Sequence, residues 1–235
     1  MYTRSAAFYD AIYSFKNYAA EAAMIDSIIR TRKLSSGNRL LDVACGTGRH
    51  IQELRARGYD ADGVDLDENL LEIARARNPG APFHLADMTD FDLGSTYDVV
   101  TCLFSAIGYV VTVERLRRAI SSLARHLSPG GVVLVEPWFS PEAPLDPLSQ
   151  MSVDLPNLKV ARIVATQTIG NRYVAHFHYL IGKPGGVDYL VERHELGLFT
   201  RDEYRAAFEA AGVEAALDPK GLIGRGLWIG IKRPG

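Results

Sequence analysis

The sequence predicts an α/β protein: a mostly parallel, doubly wound sheet with a small antiparallel β insertion after its fifth strand. Three observations carry that prediction. The first two-thirds of the 235 residues alternates five short apolar strands with helices, the pattern of a parallel sheet covered on both faces. A glycine-rich turn follows the first strand. At Pro137 the texture changes to long alternating segments separated by hairpin turns.

In chain order, residues 17–33 place Ala22, Ile25, Ile28 and Ile29 on one helical face and break at Ser35-Ser36-Gly37. Residues 39–44 (RLLDVA) read as a short buried strand running into the glycine turn, with a helix over 50–57 behind it. A second strand covers 60–66, and Asp67 N-caps a helix over 68–77 whose stripe is Leu70, Leu71 and Ala74. Strands three and four fall at 82–86 and 97–103. Between 113 and 127, Leu116, Ile120, Leu123 and Leu127 recur at i, i+4, i+7 and i+11, and Ser128-Pro129-Gly130 stops that helix. The fifth strand is GVVLVE, 131–136. Pro137, Pro141, Pro144, Pro147 and Pro156 then punctuate a helix-poor loop. Alternating segments near 158–168, 172–182 and 187–199 are separated by Ile169-Gly170-Asn171 and by Lys183-Pro184-Gly185-Gly186, both hairpin turns. Thr200 opens a helix with a capping box to Glu203, carries Tyr204 and Phe208 on one face, and ends at Gly212; a last strand spans 226–231.

Apolar residues make up 47% of the chain and charged ones 23%, enough for a large core, and the length suits one domain or one and a half. With 26 basic and 28 acidic side chains, the net charge of −2 gives no bulk electrostatic case for nucleic acid or an acidic membrane. Cys45 and Cys102 cannot frame a disulfide network, and no paired-cysteine zinc spacing occurs. The longest apolar runs are strand-sized, short of the ~20 residues of a membrane span. MYTRSAAFYDAIYSF lacks the basic start and apolar run of a secretory signal. A cytoplasmic protein binding neither nucleic acid nor membrane is the expectation.

In LLDVACGTGRH (residues 40–50), Gly46 and Gly48 stand between the first strand and its helix. Glycine admits positive φ and lets a ligand press on bare backbone at the carboxyl edge of the sheet. A dinucleotide fingerprint needs a small residue at 51, which is Ile51, and no phosphate-loop Gly-Lys-Ser/Thr is present. Asp65 lies about 20 residues past the turn, where a carboxylate can accept from both ribose hydroxyls. Asp87 and Met88 follow strand three: one can accept from an adenine amine, the other pack on its ring. An N-cap for Asp65, a loop cap for Asp87 and a structural turn are the bland alternatives. Together these residues describe a pocket for a nucleoside without phosphates.

The D-V-A-C-G-T-G motif, the strand-two Asp and the strand-three Asp-Met resemble class I S-adenosylmethionine (SAM)-dependent methyltransferases over residues 40–136. That resemblance implies a Rossmann-like, seven-stranded sheet and SAM as cofactor, with Ala44, Gly46, Gly48, Asp65, Leu66, Asp87, Met88 and Phe104 at its site. LLDVACGTGRH, ADMTDFDLG, LFSAIGY, HLSPGGVVLVEPW, LFTRDEYRAAFEAAG and GRGLWIG are similar to the N,N-dimethyltransferases of nucleotide-linked amino sugars in macrolide pathways, across nearly the whole chain. This second resemblance implies N,N-dimethylation of an amine on a dTDP-linked deoxyhexose in antibiotic biosynthesis, with Tyr2, Tyr109 and His178 as catalytic contacts, in a SAM-binding core of residues 1–136 and 192–235 with an antiparallel auxiliary domain over 137–191. It places Tyr2 near the sugar and Tyr9 and Tyr18 at the SAM methionyl group, unless that stretch is an amphipathic helix packed on the sheet.

Tyr109 follows an Ile-Gly step where the family pattern allows His or Tyr. A phenol of pKa about 10 is a poor base, so Tyr109 reads as positioning the acceptor. His176 and His178 share one face of a strand; a polar sheet face or contact with the sugar nucleotide is expected there in place of a metal. His178, which has a family counterpart, is the better site candidate of the two, and His194 reads equally as strand surface or site. A diphosphate calls for guanidinium forks: Arg225, between Gly224 and Gly226, and then Arg162. Ser105 is a further substrate candidate at the end of strand four, and Trp138 can stack on thymine or the sugar face. Phe139, Ser140 and Gly221-Leu222-Ile223-Gly224 depart from the relatives' pattern in this acceptor region. Methylation of an already glycosylated product, or a SAM-binding helper without activity, are the other readings. Ile51 and the lack of Tyr-x-x-x-Lys argue against a nicotinamide dehydrogenase. Edge strands of the insertion suit a homodimer.

Overall fold

Strand β1 (Arg39–Val43) lies inside a seven-stranded sheet in the computed structural model of the protein, which describes residues 6–233. Beside it run β2 (Asp60–Asp65), β3 (Phe83–Leu85), β4 (Tyr97–Cys102) and β5 (Leu127–Val135), all parallel. Two late strands, β10 (Val213–Asp218) and β11 (Leu227–Lys232), complete the order β10-β11-β5-β4-β1-β2-β3, with β11 antiparallel to both of its neighbours. Strand order reverses around β1, which opens a crevice at the carboxyl ends of β1 and β4.

Successive residues of a strand face opposite sides, and here both sides are buried. Leu40, Val99, Val132 and Leu134 pack against α2 (Tyr18–Arg32), α3 (Arg49–Arg55) and α4 (Glu68–Arg77). Leu41, Val100, Val133 and Val135 pack against α5 (Val113–Arg125) and α6 (Arg201–Ala210). That is why the strands read as continuous apolar runs rather than alternating ones. Asp67 caps α4 through the Asn69 N–H, and the Thr200–Glu203 capping box starts α6, as the sequence predicts. Each such cap contributes about 1 kcal/mol.

The insertion is a four-stranded antiparallel sheet of β6 (Leu148–Leu155), β7 (Leu158–Ile169), β8 (Arg172–Lys183) and β9 (Gly186–Gly197), in that order. Its inner face (Val153, Val160, Tyr179, Ile181, Leu190) closes on Ile12 and Tyr13 at the end of a short helix α1 (Tyr9–Ile12). Its outer face leaves Ile163, Leu180 and Tyr189 51%, 51% and 59% exposed.

Two strands escape the sequence reading. β6 falls within the stretch expected to be loop; as an edge strand it buries Val153 alone, so no alternation announces it. β10 (VEAALD) is short and alanine-rich. Leu127, expected at the end of a helix, instead begins β5, because α5 stops at Arg125 and Ser128-Pro129-Gly130 runs within the strand.

Candidate active site

The chain leaves β1 through three left-handed positions, Ala44 (φ 59°), Gly46 (55°) and Gly48 (70°). Such backbone is costly for a residue with a Cβ. The two glycines serve different ends. Nothing lies within 4 Å of where a Gly46 Cβ would stand, so its bare backbone faces open space. A Cβ on Gly48 would come within 2.7 Å of Asn78 Nδ2 and 3.1 Å of Ala74 Cβ. Gly48 therefore packs the turn against α4 and does not line the cavity, in place of the cofactor contact expected of it.

That cavity has a volume of about 460 Å³, within the ~300–1,000 Å³ range of small-molecule sites. One half is lined by Ala44, Gly46, Asp65, Leu66, Asp87, Met88 and Phe104. Asp65, buried at the end of β2, accepts the Gly46 N–H at Oδ2 (2.8 Å) and the Asp67 N–H at Oδ1 (2.9 Å). Burial pushes its carboxyl above the usual range in spite of those bonds, and each oxygen retains a lone pair for a hydroxyl donor. Asp87 accepts from the Thr89 N–H and hydroxyl and from Arg115 Nη2 at 2.9 Å. Burial would raise its carboxyl, but these donors hold it below the ordinary value.

Beneath the same half lies a charged foundation that sequence reasoning did not find. Lys16 Nζ donates to both Glu21 oxygens (2.8 and 2.9 Å), His50 Nε2 lies 2.8 Å from Glu21 Oε2, and Lys16 stands 4.0 Å from the Phe104 ring centroid. Asp10 on α1 accepts from the Thr47 hydroxyl (2.8 Å) and pairs with Arg49 (3.5 Å) and Arg77, tying the N-terminal segment to the glycine turn. Tyr9 lines the cavity, whereas Tyr18 lines a smaller recess shared with Asp42, Thr47, Arg49 and His50. Burial pushes the Asp42 carboxyl up to about 6.

The other half is made by the 3-10 turn Ala106–Val110, the segment after β5 and the inserted sheet. Tyr109, Trp138, Arg162 and Arg225 all line it, joined by Tyr173 and Phe177, which the sequence did not single out. Arg225 lies over the Trp138 ring at 4.8 Å and the Phe139 ring at 5.2 Å, and its Nη1 donates to Ser105 Oγ at 3.2 Å. Arg162 lies 5.3 Å from the Phe177 ring centroid. The buried Trp138 Nε1–H has no acceptor among the described residues.

Other expected site residues stand elsewhere. Ser105 is buried behind the cavity wall, donating to the Pro137 carbonyl at 2.7 Å, so it anchors Arg225 rather than lining the site. His178 is on the opposite face of β8 from the cavity-lining Tyr173 and Phe177, with Nδ1 2.7 Å from the Tyr189 hydroxyl. His194 stands behind the site: it is buried and does not line the cavity, with Nδ1 2.8 Å from the hydroxyl of the cavity-lining Tyr109. Tyr2 lies outside the described residues. Among the described residues no cluster of three His, Cys, Asp or Glu side chains could hold a metal ion.

Residues 40–131 match the family described as a methyltransferase domain. Over 227 residues the chain is 40% identical to the dTDP-4-amino-2,3,4,6-tetradeoxy-D-glucose N,N-dimethyltransferase of Saccharopolyspora spinosa, spanning 95% of this chain and 91% of that protein. The chain belongs to the amino-sugar N,N-dimethyltransferase family. It is similar to the crystal structure of Streptomyces venezuelae DesVI, with a TM-score of 0.91, 40% identity and 98% of both chains covered. CalS10, a SAM-bound amino pentose methyltransferase from Micromonospora echinaspora, follows at a TM-score of 0.86 and 38% identity, covering 95% of this chain and 96% of that one.

Like its family, this protein is a SAM-dependent methyltransferase, and its cavity fits that cofactor. Asp65 offers oxygens suited to ribose hydroxyls, Asp87 and Met88 an acceptor and a thioether suited to adenine, and Gly46 an open backbone.

Proposed function

We propose that this enzyme methylates the amine of a dTDP-linked deoxyamino sugar, twice at one nitrogen, in antibiotic biosynthesis. The observation that carries the reading is the pair of guanidinium groups, Arg162 and Arg225, lining the half of the cavity away from Asp65 and Asp87. Planar forks suit a diphosphate, and Arg225 is pre-oriented by Ser105, Trp138 and Phe139. The 40% identity to a dTDP-amino-sugar enzyme across 95% of the chain supports the same assignment.

SAM, when bound, supplies a methyl group on an activated sulfonium, so an unprotonated amine held in line needs little further help. The chain's own residues do the holding. Asp65 and Asp87 fix the nucleoside, Arg162 and Arg225 take the diphosphate, Trp138 stacks on the base or sugar face, and Tyr109 orients the amine. The acceptor-binding unit in this reading begins at 137 and ends at Gly197 rather than at the expected 191, because β9 pairs with β8 as one strand to that residue.

Mass spectrometry of the protein incubated with SAM and a panel of dTDP-3-amino and dTDP-4-amino deoxyhexoses tests the assignment. Gain of one and then two methyl masses on a free nucleotide sugar is expected. Turnover only of an amine already attached to its aglycone would move the assignment to a glycosylated acceptor. SAM binding with no turnover at all would leave a helper protein.

The assembly proposed is a homodimer, joined through the outer face of the inserted sheet more than through its edges. Ile163 and Val191 flank His178 across that face, and Leu180 pairs with Tyr189. Charging it with Leu180→Glu is expected to give a monomer in analytical ultracentrifugation; an unchanged sedimentation coefficient would exclude this face.

A further inference from the structure

Tyr109 does not stand alone at the acceptor half. Gly108 lets its 3-10 turn lie against β9: a Cβ there would meet Leu196 Cδ2 at 2.9 Å and Trp138 Cβ at 3.1 Å. That approach brings the Tyr109 hydroxyl 2.8 Å from His194 Nδ1, across 85 residues of sequence. Glu192, two residues earlier on β9 and so on the same face, places Oε2 3.6 Å from His194 Nε2. Both side chains are buried, at 0% and 5% exposure. With Nε2–H turned toward the carboxylate, Nδ1 is left as the acceptor for the Tyr109 O–H.

We infer that Tyr109, His194 and Glu192 form a proton relay that takes the proton from the sugar ammonium. The inference rests on the amino-sugar reading above. The ammonium N–H bond breaks as a new O–H bond forms on Tyr109, whose original proton passes to His194 Nδ1. The amine gains its lone pair, the phenol is regenerated, and the imidazolium is held by the Glu192 carboxylate. Tyr109 is the catalytic residue of this set, because it lines the cavity; His194 and Glu192 act through it. A phenol by itself is a weak base, and the imidazole behind it removes that weakness.

Among the described residues, His194 is faced by the Tyr109 hydroxyl from the 3-10 turn, Glu192 from β9 and the Arg162 charge from β7, with the Phe177 ring of β8 at 4.5 Å. Burial holds its pKa below the ordinary 6.5, with Arg162 acting in the same direction against Glu192. His194 is therefore uncharged at neutral pH and able to accept. Activity is expected to fall as the pH drops through that lowered value, because a protonated His194 has no vacant nitrogen facing Tyr109.

The test is kcat at saturating SAM and dTDP-amino sugar from pH 5.5 to 9, with SAM affinity by calorimetry, for the wild type, Tyr109→Phe, His194→Gln and the double variant. Each single substitution should lower kcat roughly 100-fold, a magnitude ordinary for general acid–base catalysis, and abolish the acid limb while SAM affinity is retained. The double variant should be no slower than either single one, as for residues that act as a unit. Tyr109→Phe removes one oxygen from a partly exposed ring, so it decides the matter even if His194→Gln misfolds. A Tyr109→Phe enzyme with wild-type kcat and an unchanged acid limb overturns the relay alone. A wild-type enzyme that methylates no amino sugar overturns the functional reading and the relay with it.

Discussion

The two halves of the cavity are built in different ways. In the cofactor half the contacts are shorter in sequence: Asp87 reaches Thr89 across two residues, Asp65 reaches Gly46 across 19 and Arg115 reaches Asp87 across 28. In the acceptor half the chain meets itself from afar. Tyr109 reaches His194 across 85 residues, Ser105 reaches Arg225 across 120, and Tyr13 reaches Arg162 across 149. The first half is built from the ends of β1 to β4 within the parallel sheet; the second exists only once the inserted sheet has folded over the core. Substitutions in the first should therefore act on SAM alone, and those in the second on the acceptor alone.

The largest expected effect lies under the cofactor half. Removing Glu21 leaves the buried Lys16 ammonium without its carboxylate, and breaking such a buried pair costs about 3–5 kcal/mol; chemical denaturation of Glu21→Leu measures it. The same group carries a pH signature. Burial would raise the Glu21 carboxyl, yet hydrogen bonds from His50 and Lys16 hold it below its ordinary 4.5. A carboxyl whose folded value lies under the unfolded one stabilises fully above that ordinary value, and the contribution is lost as pH falls through the folded value. The stability gap between wild type and variant should thus narrow below about pH 4.5.

Next comes Asp65→Ala. It removes the oxygens suited to the two ribose hydroxyls and leaves the Gly46 N–H without its carboxylate acceptor, so at about 1.5–3 kcal/mol per charged hydrogen bond SAM binding is expected to weaken by at least ~100-fold in calorimetry. Arg225→Ala should raise KM for the nucleotide sugar roughly 10- to 100-fold with SAM affinity unchanged. Arg225→Lys should not restore it, because an ammonium cannot reproduce the stacked fork. A parallel loss of SAM binding in Arg225→Ala would erase the division between the halves. Arg115→Ala is the mildest: its pair with Asp87 is partly exposed, and such pairs are worth about 0.2–1 kcal/mol, a change in SAM affinity of less than about fivefold.

This division also explains what the sequence made legible. The parallel strands, their helices and caps, the Gly46 turn, Asp65 and Asp87-Met88 all announce themselves within a window of some 20 residues. Tyr109, Arg162, Trp138 and Arg225 were found partly through resemblance, and the structure brings all four to one cavity. That His178 faces away from the cavity is not legible, because period-two alternation tells which strand residues share a face but not which face meets the ligand; Ser105 lies past β4 on left-handed backbone, where no periodicity tells the direction of its side chain. His194 illustrates the same limit in reverse: its surroundings come from a glycine-allowed approach at residue 108, which no local pattern records. Lys16, Glu21 and His50 lie on three successive segments, and their meeting depends on how α2 packs on α3. Gly48 misled for a further reason: at sequence level, close ligand approach and close helix approach demand the same residue.

One short segment belongs to both halves. Phe104 and Ser105 are consecutive left-handed residues (φ 53° and 58°), fixed by the Phe104 N–H to Glu136 Oε2 at 2.7 Å and the Ser105 hydroxyl to the Pro137 carbonyl. Phe104 walls the cofactor side, while Ser105 steadies Arg225 on the other. The two walls of the cavity are thus hung from neighbouring residues of one strained, left-handed dipeptide, whose own anchors, Glu136 and Pro137, are likewise neighbours just past β5.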